Sequence, residues 1–322
     1  MLRRRSLAIL GMGATASAAL PRLAHAAWPE RPIQIVCPGP AGGGMDTYAR
    51  AIIPFVAPRL GAASMVVINR PNASGQLAFE SVALAEPDGY TIGVAQTPNL
   101  ITLPIERQVR YRVQDLTYIA NVVEDPGGLF VRTDSPYRSL GDLVEAARKQ
   151  PGRLALGSAG IGTDDHLLIL ALQEATGTEY SHVPYSGTPP IISAVLAGDL
   201  AAGSFNVSEG IALVKQGSLR LLGQAGPQRL DMARDIPTFR EQGIDMVAGS
   251  TRGVIAPPGL PAALRDRFRT AFAEALADPA WHKEAERLSL PLRIMSGEEQ
   301  QRVFLEDDRK LRALWQRRPW RE

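Results

Sequence analysis

The sequence predicts an α/β protein of two units with a cleft between them, and three observations predict it. Apolar runs rich in β-branched residues alternate with segments of helical period through most of the chain. Two glycine-rich turns, Ala41-Gly42-Gly43-Gly44 and Ser158-Ala159-Gly160-Ile161-Gly162-Thr163, each lead from a strand into a helix. The chain is also long enough for two cores of ordinary domain size.

The N-terminus stands apart from that pattern. Arg3, Arg4 and Arg5 precede an apolar run from Leu7 to Leu20, and Ala24-His25-Ala26 is a small-x-small cleavage site. Residues 1–26 are expected to be a signal peptide, with the mature protein in the periplasm. Arg4-Arg5-Ser6-Leu7 is compatible with twin-arginine export as well as the general route. Removing 26 of 322 residues leaves 296, and removes four arginines and no acid, so the formal charge of +2 becomes −2. A mildly acidic surface carries no electrostatic footprint for nucleic acid. No later stretch has the apolar length of a membrane helix, so a soluble protein is expected, as a monomer. Cys37 is the single cysteine, which excludes an internal disulfide. It ends an apolar strand and reads as a buried small hydrophobe rather than a reactive thiol.

In the first unit, 33–36, 65–68, 90–95 and 118–123 read as strands, mostly parallel. Helices are expected from Thr47 to Leu60, across Pro54 and Pro58, and from Leu77 to Ala85. In the second unit, 128–132, 154–157, 180–183 and 200–205 are strands. Ser139 caps a helix running to Lys149, and 165–175 and 190–196 are helices. The run 219–224 carries the chain back, and Gly243-Ile-Asp-Met-Val247 and 253–256 read as further strands. Two helices finish the chain. One is opened by Pro261, with Leu264, Phe268, Phe272 and Leu276 on one stripe; the other is opened by the capping box Ser296–Glu299.

The chemical motifs are mostly absences. No Gly-Lys pair occurs, so neither glycine turn is a phosphate loop. The dinucleotide fingerprint fails at Thr47 and again at Asp165, where its third glycine should stand. No nucleophile elbow exists, and the three histidines after cleavage, His166, His182 and His282, lack metal-ligand spacing. No cofactor or metal is expected. What remains is the design of the two turns. Glycines aim several N–H groups one way, and each helix start adds unpaired donors and a positive dipole end. Two such starts facing one cleft would suit a carboxylate.

At this point the chain resembles the substrate-binding receptors of tripartite tricarboxylate transporters, the Bug receptor family. The likeness lies in Trp28-Pro-Glu-Arg-Pro-Ile33, the Pro-x-Pro-Ala-Gly-Gly-x-x-Asp loop at 38–46, Asn69-Arg70-Pro71, Glu86-Pro-Asp-Gly-Tyr-Thr91, His182-Val-Pro-Tyr185 and Asp235-Ile-Pro-Thr238. The resemblance implies a type II periplasmic-binding-protein fold, an α/β pair of lobes that closes on a small organic carboxylate. The lobes would be 27–122 (first part of lobe 1), 123–226 (lobe 2) and 227–322 (return of lobe 1 with the C-terminal helices). It also implies that the loops matching 40–46 and 158–163 grip a ligand carboxylate.

A finer resemblance lies in Gly162-Thr-Asp-Asp-His-Leu167, Asn206-Val-Ser-Glu209 and Arg252-Gly-Val254, which look like a subgroup nearer the tricarboxylate receptors. Arg252 offers a fork for a second carboxylate, or else a surface or inter-lobe salt bridge. Asn206 and Ser208 bind ligand oxygens or close a strand end. Asp165 would repel an anion and is expected to cap its helix. Gly39 departs from the family, many of whose members carry an aromatic residue there, and its loss implies a roomier or more mobile mouth. The expected ligand-binding set is Pro40, Ala41, Gly42, Gly43, Asp46, Thr97, Ser158, Gly160, Gly162, Thr163, Asn206, Ser208 and Arg252.

The function this implies is a non-enzymatic exported receptor. It would deliver a di- or tricarboxylate, citrate-like in class, to the membrane subunits of a tripartite tricarboxylate transporter. The alternatives are a carboxylate sensor feeding a two-component kinase, and an exported α/β enzyme using His166 with Asp164 or Asp165.

Overall fold

A computed structural model describes residues 28–317, 319 and 320; the expected signal peptide lies outside the described residues. In chain order the elements are β1 (Ile33–Cys37), α1 (Gly44–Leu60), β2 (Met65–Asn69), α2 (Gln76–Ala83), β3 (Thr91–Gln96), α3 (Asn99–Glu106) and β4 (Thr117–Arg132). Then come α4 (Leu140–Lys149), β5 (Ala155–Ser158), α5 (Asp164–Thr176), β6 (Ser181–Pro184), α6 (Thr188–Ala197), β7 (Ala202–Asn206), α7 (Val207–Lys215) and β8 (Leu219–Gln224). The chain ends with β9 (Gly249–Ala256), α8 (Ala262–Leu276), α9 (Pro279–Arg287), β10 (Leu292–Ser296) and α10 (Gly297–Arg317).

The strands form one curled path, β2-β1-β3-β9-β4-β7-β5-β6, with β10 and β8 pairing on β4. Within each half the strands that carry the glycine turns are parallel to their neighbours: β1 to β2 and β3, and β5 to β6 and β7. β9 runs antiparallel to both β3 and β4, so the sheet is mixed. A parallel neighbour needs a crossover helix, which is why α1 and α5 begin directly above the ends of β1 and β5. Both turns therefore lie at the C-terminal edges of their strands, where open α/β sheets bind ligands.

β4 is the main correction to the expected elements. The segments 118–123 and 128–132 are one strand that continues through Asp125-Pro126-Gly127. Its first part pairs with β9 as far as Pro126 opposite Gly249, and its second part pairs with β7 and β8 from Gly127 onward. A β-carbon on Gly127 would stand 2.5 Å from Leu168, so glycine is needed for α5 to pack over the crossing. Gly243–Val247 is not a ladder strand: Met246 donates to Ile244 in a tight turn and buries its side chain in the core under α4 and α5. Phe239 joins that same core. Three helices, not two, close the chain, because Asp278 accepts from the Ala280 N–H and starts α9 afresh at Pro279.

Each half buries cores on both faces of its strands. In the first, Ile33, Ile35, Tyr48, Ile52 and Phe272 lie on one side and Phe79, Leu100, Tyr118 and Phe304 on the other. In the second, Leu129, Leu143, Leu156 and Leu172 oppose a layer in which Phe130 and Phe205 stack 4.0 Å apart. Cys37 is fully buried, and that burial pushes its thiol up to about 12, consistent with a packing role. Among the described residues, no helix is long and apolar enough to cross a membrane.

Candidate functional site

The first turn is held by its own side chains. Gly42, at φ 80°, donates its N–H to Asp46 Oδ2 at 3.0 Å, and Gly43 donates to Pro40 O at 3.1 Å. Burial works against the charge on Asp46, but Arg50, the Gly42 amide and Asn69 hold its carboxyl below the usual range. The next amide behaves differently. Gly44, the first residue of α1, donates across the cleft to Glu209 Oε1 at 3.0 Å. Glu209 belongs to α7 in the other half, and its Oε2 accepts from the Thr188 hydroxyl at 3.0 Å and the Asn206 N–H at 3.3 Å.

In the second turn the amides are taken from within, while the Gly162 and Ile161 carbonyls accept from the Thr102 and Ser74 hydroxyls of the first half. Ala159 N–H donates to Asp165 Oδ2, Gly160 N–H to Ser158 Oγ, and Gly162 N–H to His166 Nδ1. Thr163, not Asp165, caps α5: its hydroxyl accepts from the His166 N–H. Asp165 ties down the preceding loop instead. His166 stacks on His182 with ring centres 4.0 Å apart, and burial, with His182 beside it, pushes it down to about 3. A ring so hard to protonate, whose Nδ1 already accepts from the chain, has no general-base geometry toward Asp164 or Asp165.

Between the two turns lies Arg252 of β9, 1% exposed. Its Nη2 donates to Asn206 Oδ1, its Nη1 stands 3.4 Å from Asp125 Oδ2, and its Nη2 stands 4.0 Å from Glu209 Oε2. Asn206 Nδ2 donates to Asp164 Oδ2 at 2.8 Å and to the Asp125 carbonyl at 2.9 Å. Ser208 gives Asp125 both its hydroxyl and its N–H. One guanidinium thus faces Asp125, Asp164, Asp165 and Glu209. Burial raises the Asp125 carboxyl to about 7 despite Arg252, and burial raises Asp164 and Asp165 as well, the latter further by repulsion from Asp164.

These groups surround a cavity of about 50 Å³. Of the residues expected from sequence, Pro40, Gly43, Thr163, Asn206 and Arg252 line it. Ala41 and Gly42 are exposed and do not line it, and Asp46, Ser158, Gly160 and Gly162 shape the turns without lining it. Ser208 faces Asp125, and Thr97 ties the start of α3 to β9 through Thr251 and Ser250. Sequence reasoning missed Gln96, Asn99, Thr188 and Glu209 as lining groups. The mouth beside Gly39 is not roomy, because a β-carbon there would stand 2.9 Å from Met45 Cε, so Met45 fills that space.

Five atoms on the lining residues are buried without a hydrogen-bond partner: Arg252 Nε and Nη1, Gln96 Oε1, Asn99 Oδ1 and Asp165 Oδ1. Buried polar atoms are nearly always paired, so a cluster of orphans around one cavity marks a place built for something else to bind. Among the described residues no group of His, Cys, Asp and Glu could hold a metal ion.

A family model described as the tripartite tricarboxylate transporter family receptor matches residues 49–318. A UPF0065 protein from the gbd 5' region of Cupriavidus necator is 30% identical over 320 residues, 98% of this chain and 97% of the relative. Among solved structures, Rpa4515 of R. palustris with adipate is 26% identical with a TM-score of 0.82, covering 90% of this chain and 97% of that one. MatC from Rhodopseudomonas palustris with bound malate is 26% identical with a TM-score of 0.79, covering 89% and 98%. With the α/β architecture of periplasmic binding proteins and a match over most of its length, this chain belongs to the tripartite tricarboxylate transporter family of periplasmic solute-binding receptors.

Proposed function

We propose that the two halves open about the Asp125–Gly127 and Ala248–Gly249 crossings, admit a small organic carboxylate, and close on it. The closed receptor then passes its ligand to the membrane subunits of a tripartite transporter. The observation that carries this reading is the pair of orphan donors on Arg252, 1% exposed, beside the start of α1. A carboxylate meeting them makes charge-assisted hydrogen bonds in a site that closure has emptied of bulk water. The structural neighbours that hold adipate and malate support an acid of that size. Four acidic side chains around one guanidinium favour an acid with fewer charges than citrate, because each added carboxylate must approach them.

Thermal-shift and calorimetric titration of the purified protein with mono-, di- and tricarboxylates tests the reading. Small acids should raise the melting temperature more than citrate, since a ligand stabilises the state it binds. Silence toward every acid, together with a response to a sugar, would sink it.

A further inference from the structure

The orphan atoms divide by chemistry. Arg252 supplies donors; Gln96, Asn99 and Asp165 supply acceptors, and each of these residues is at least nine-tenths buried. The orientation of the two amides is fixed by their other ends. Gln96 Nε2 donates toward Asp164 Oδ1 at 3.5 Å, and Asn99 Nδ2 donates to the Ser74 carbonyl at 3.1 Å. Their oxygens are therefore what remains for the cavity. Asp165 is fixed likewise: Oδ2 accepts from the Ala159 amide, and Oδ1 is left over.

A second carboxylate of a dianion would bring acceptors to the unpaired Gln96 and Asn99 oxygens. A hydroxyl would supply one donor. An ammonium supplies three donors and a positive charge.

Resting on the carboxylate reading above, we propose that the ligand is a zwitterionic amino-type acid. Its carboxylate faces Arg252, and its ammonium is held by Asp165, Gln96 and Asn99. The charge balance of the cleft agrees. Burial makes Asp164 and Asp165 hold their protons more tightly than in water, and repulsion from Asp164 adds to this at Asp165. An arriving cation lets Asp165 ionise.

The test is calorimetric titration of the purified protein with three matched pairs: propionate and L-alanine, succinate and L-aspartate, glutarate and L-glutamate, with n-butylamine alongside. In at least one pair the amino acid should bind about tenfold to hundredfold more tightly than its partner, the worth of a charge-assisted hydrogen bond to a buried group. Asp165→Asn keeps an oxygen for the Ala159 amide but turns an N–H₂ toward the cavity, and should bring that ratio close to one. Asn99→Leu, which removes a different acceptor, should reduce the ratio by about tenfold and serves if Asp165→Asn fails to fold. A des-amino acid binding as tightly as its amino partner in every pair overturns the proposal and leaves the carboxylate reading intact, as does a ratio that both variants leave unchanged. Binding of n-butylamine but of no acid overturns the carboxylate reading and supports the ammonium end. No binding by any probe overturns both.

Discussion

The two glycine turns look alike in sequence and differ in what their amides touch. At 158–163 the Ala159, Gly160 and Gly162 amides are each taken by a side chain from the same turn or the helix it starts. At 40–46 the Gly42 and Gly43 amides are taken locally, but Gly44 reaches a carboxylate on the opposite half, 165 residues away. A locally satisfied turn is a rigid wall. A turn whose amide is satisfied across the cleft loses that bond when the halves part, and can trade it for another acceptor. The first turn therefore offers the exchangeable amide, whereas the second meets the other half through its carbonyls, Gly162 O accepting from the Thr102 hydroxyl at 2.9 Å and Ile161 O from the Ser74 hydroxyl at 3.4 Å, and positions side chains such as Asp165.

The change expected to break this arrangement most severely is Arg252→Met. It removes the cation that faces Asp125, Asp164, Asp165 and Glu209 while roughly keeping the volume. Leaving buried charges without their partner costs about 3–5 kcal/mol, so urea unfolding should show a loss of that order, together with loss of ligand response. A stability change under 1 kcal/mol would mean that the acids are neutral and Arg252 is not what holds the two halves' side chains together.

Paired glycine substitutions separate the turns next. Gly162, at φ 71°, would push a β-carbon into the Glu106 carboxylate and to 3.3 Å from Thr102 Oγ1. Gly42, at φ 80°, would meet nothing within 4 Å. Gly162→Ala should therefore cost about 2–4 kcal/mol, from left-handed strain plus overpacking, and Gly42→Ala about 1–2 from strain alone. Equal losses in denaturant unfolding would erase the distinction between a packed wall and an open jaw.

How much of this was legible without coordinates depends on the range of the interaction. The Ser139 cap, the Pro261 start and the Phe268–Phe272 stripe follow local rules, and the structure has them where the pattern puts them. Asp125-Pro126-Gly127 falls between two expected strands, yet β9 and β7 pair along it and make it part of the crossing strand, which no short window reveals. Arg252 was legible as a cation of two possible roles, and the structure gives it inter-half partners and orphan donors together. Glu209 was the harder case. Asn206-Val-Ser-Glu209 is a capping pattern, and its glutamate does accept from the Asn206 amide. The same carboxylate also spans the cleft, and nothing within four residues of it carries that information.

Glu209 offers the mildest and sharpest test. Its carboxylate already sits on the Gly44 amide and 4.0 Å from Arg252, where an incoming acid would bring its own negative charge. Glu209→Gln keeps an oxygen for the Gly44 amide and removes the charge. Taking one like charge from beside a partly buried carboxylate should tighten binding of a simple acid such as succinate by about tenfold, roughly 1.4 kcal/mol, while the new N–H₂, set against the Thr188 hydroxyl and the Asn206 N–H, should cost about 1 kcal/mol in unfolding. The gain should be smaller for an acid carrying an ammonium, whose positive end benefits from the surrounding carboxylates. If calorimetry instead finds every acid weakened, Glu209 is a group the ligand needs rather than one it displaces. The first turn would then be as closed as the second.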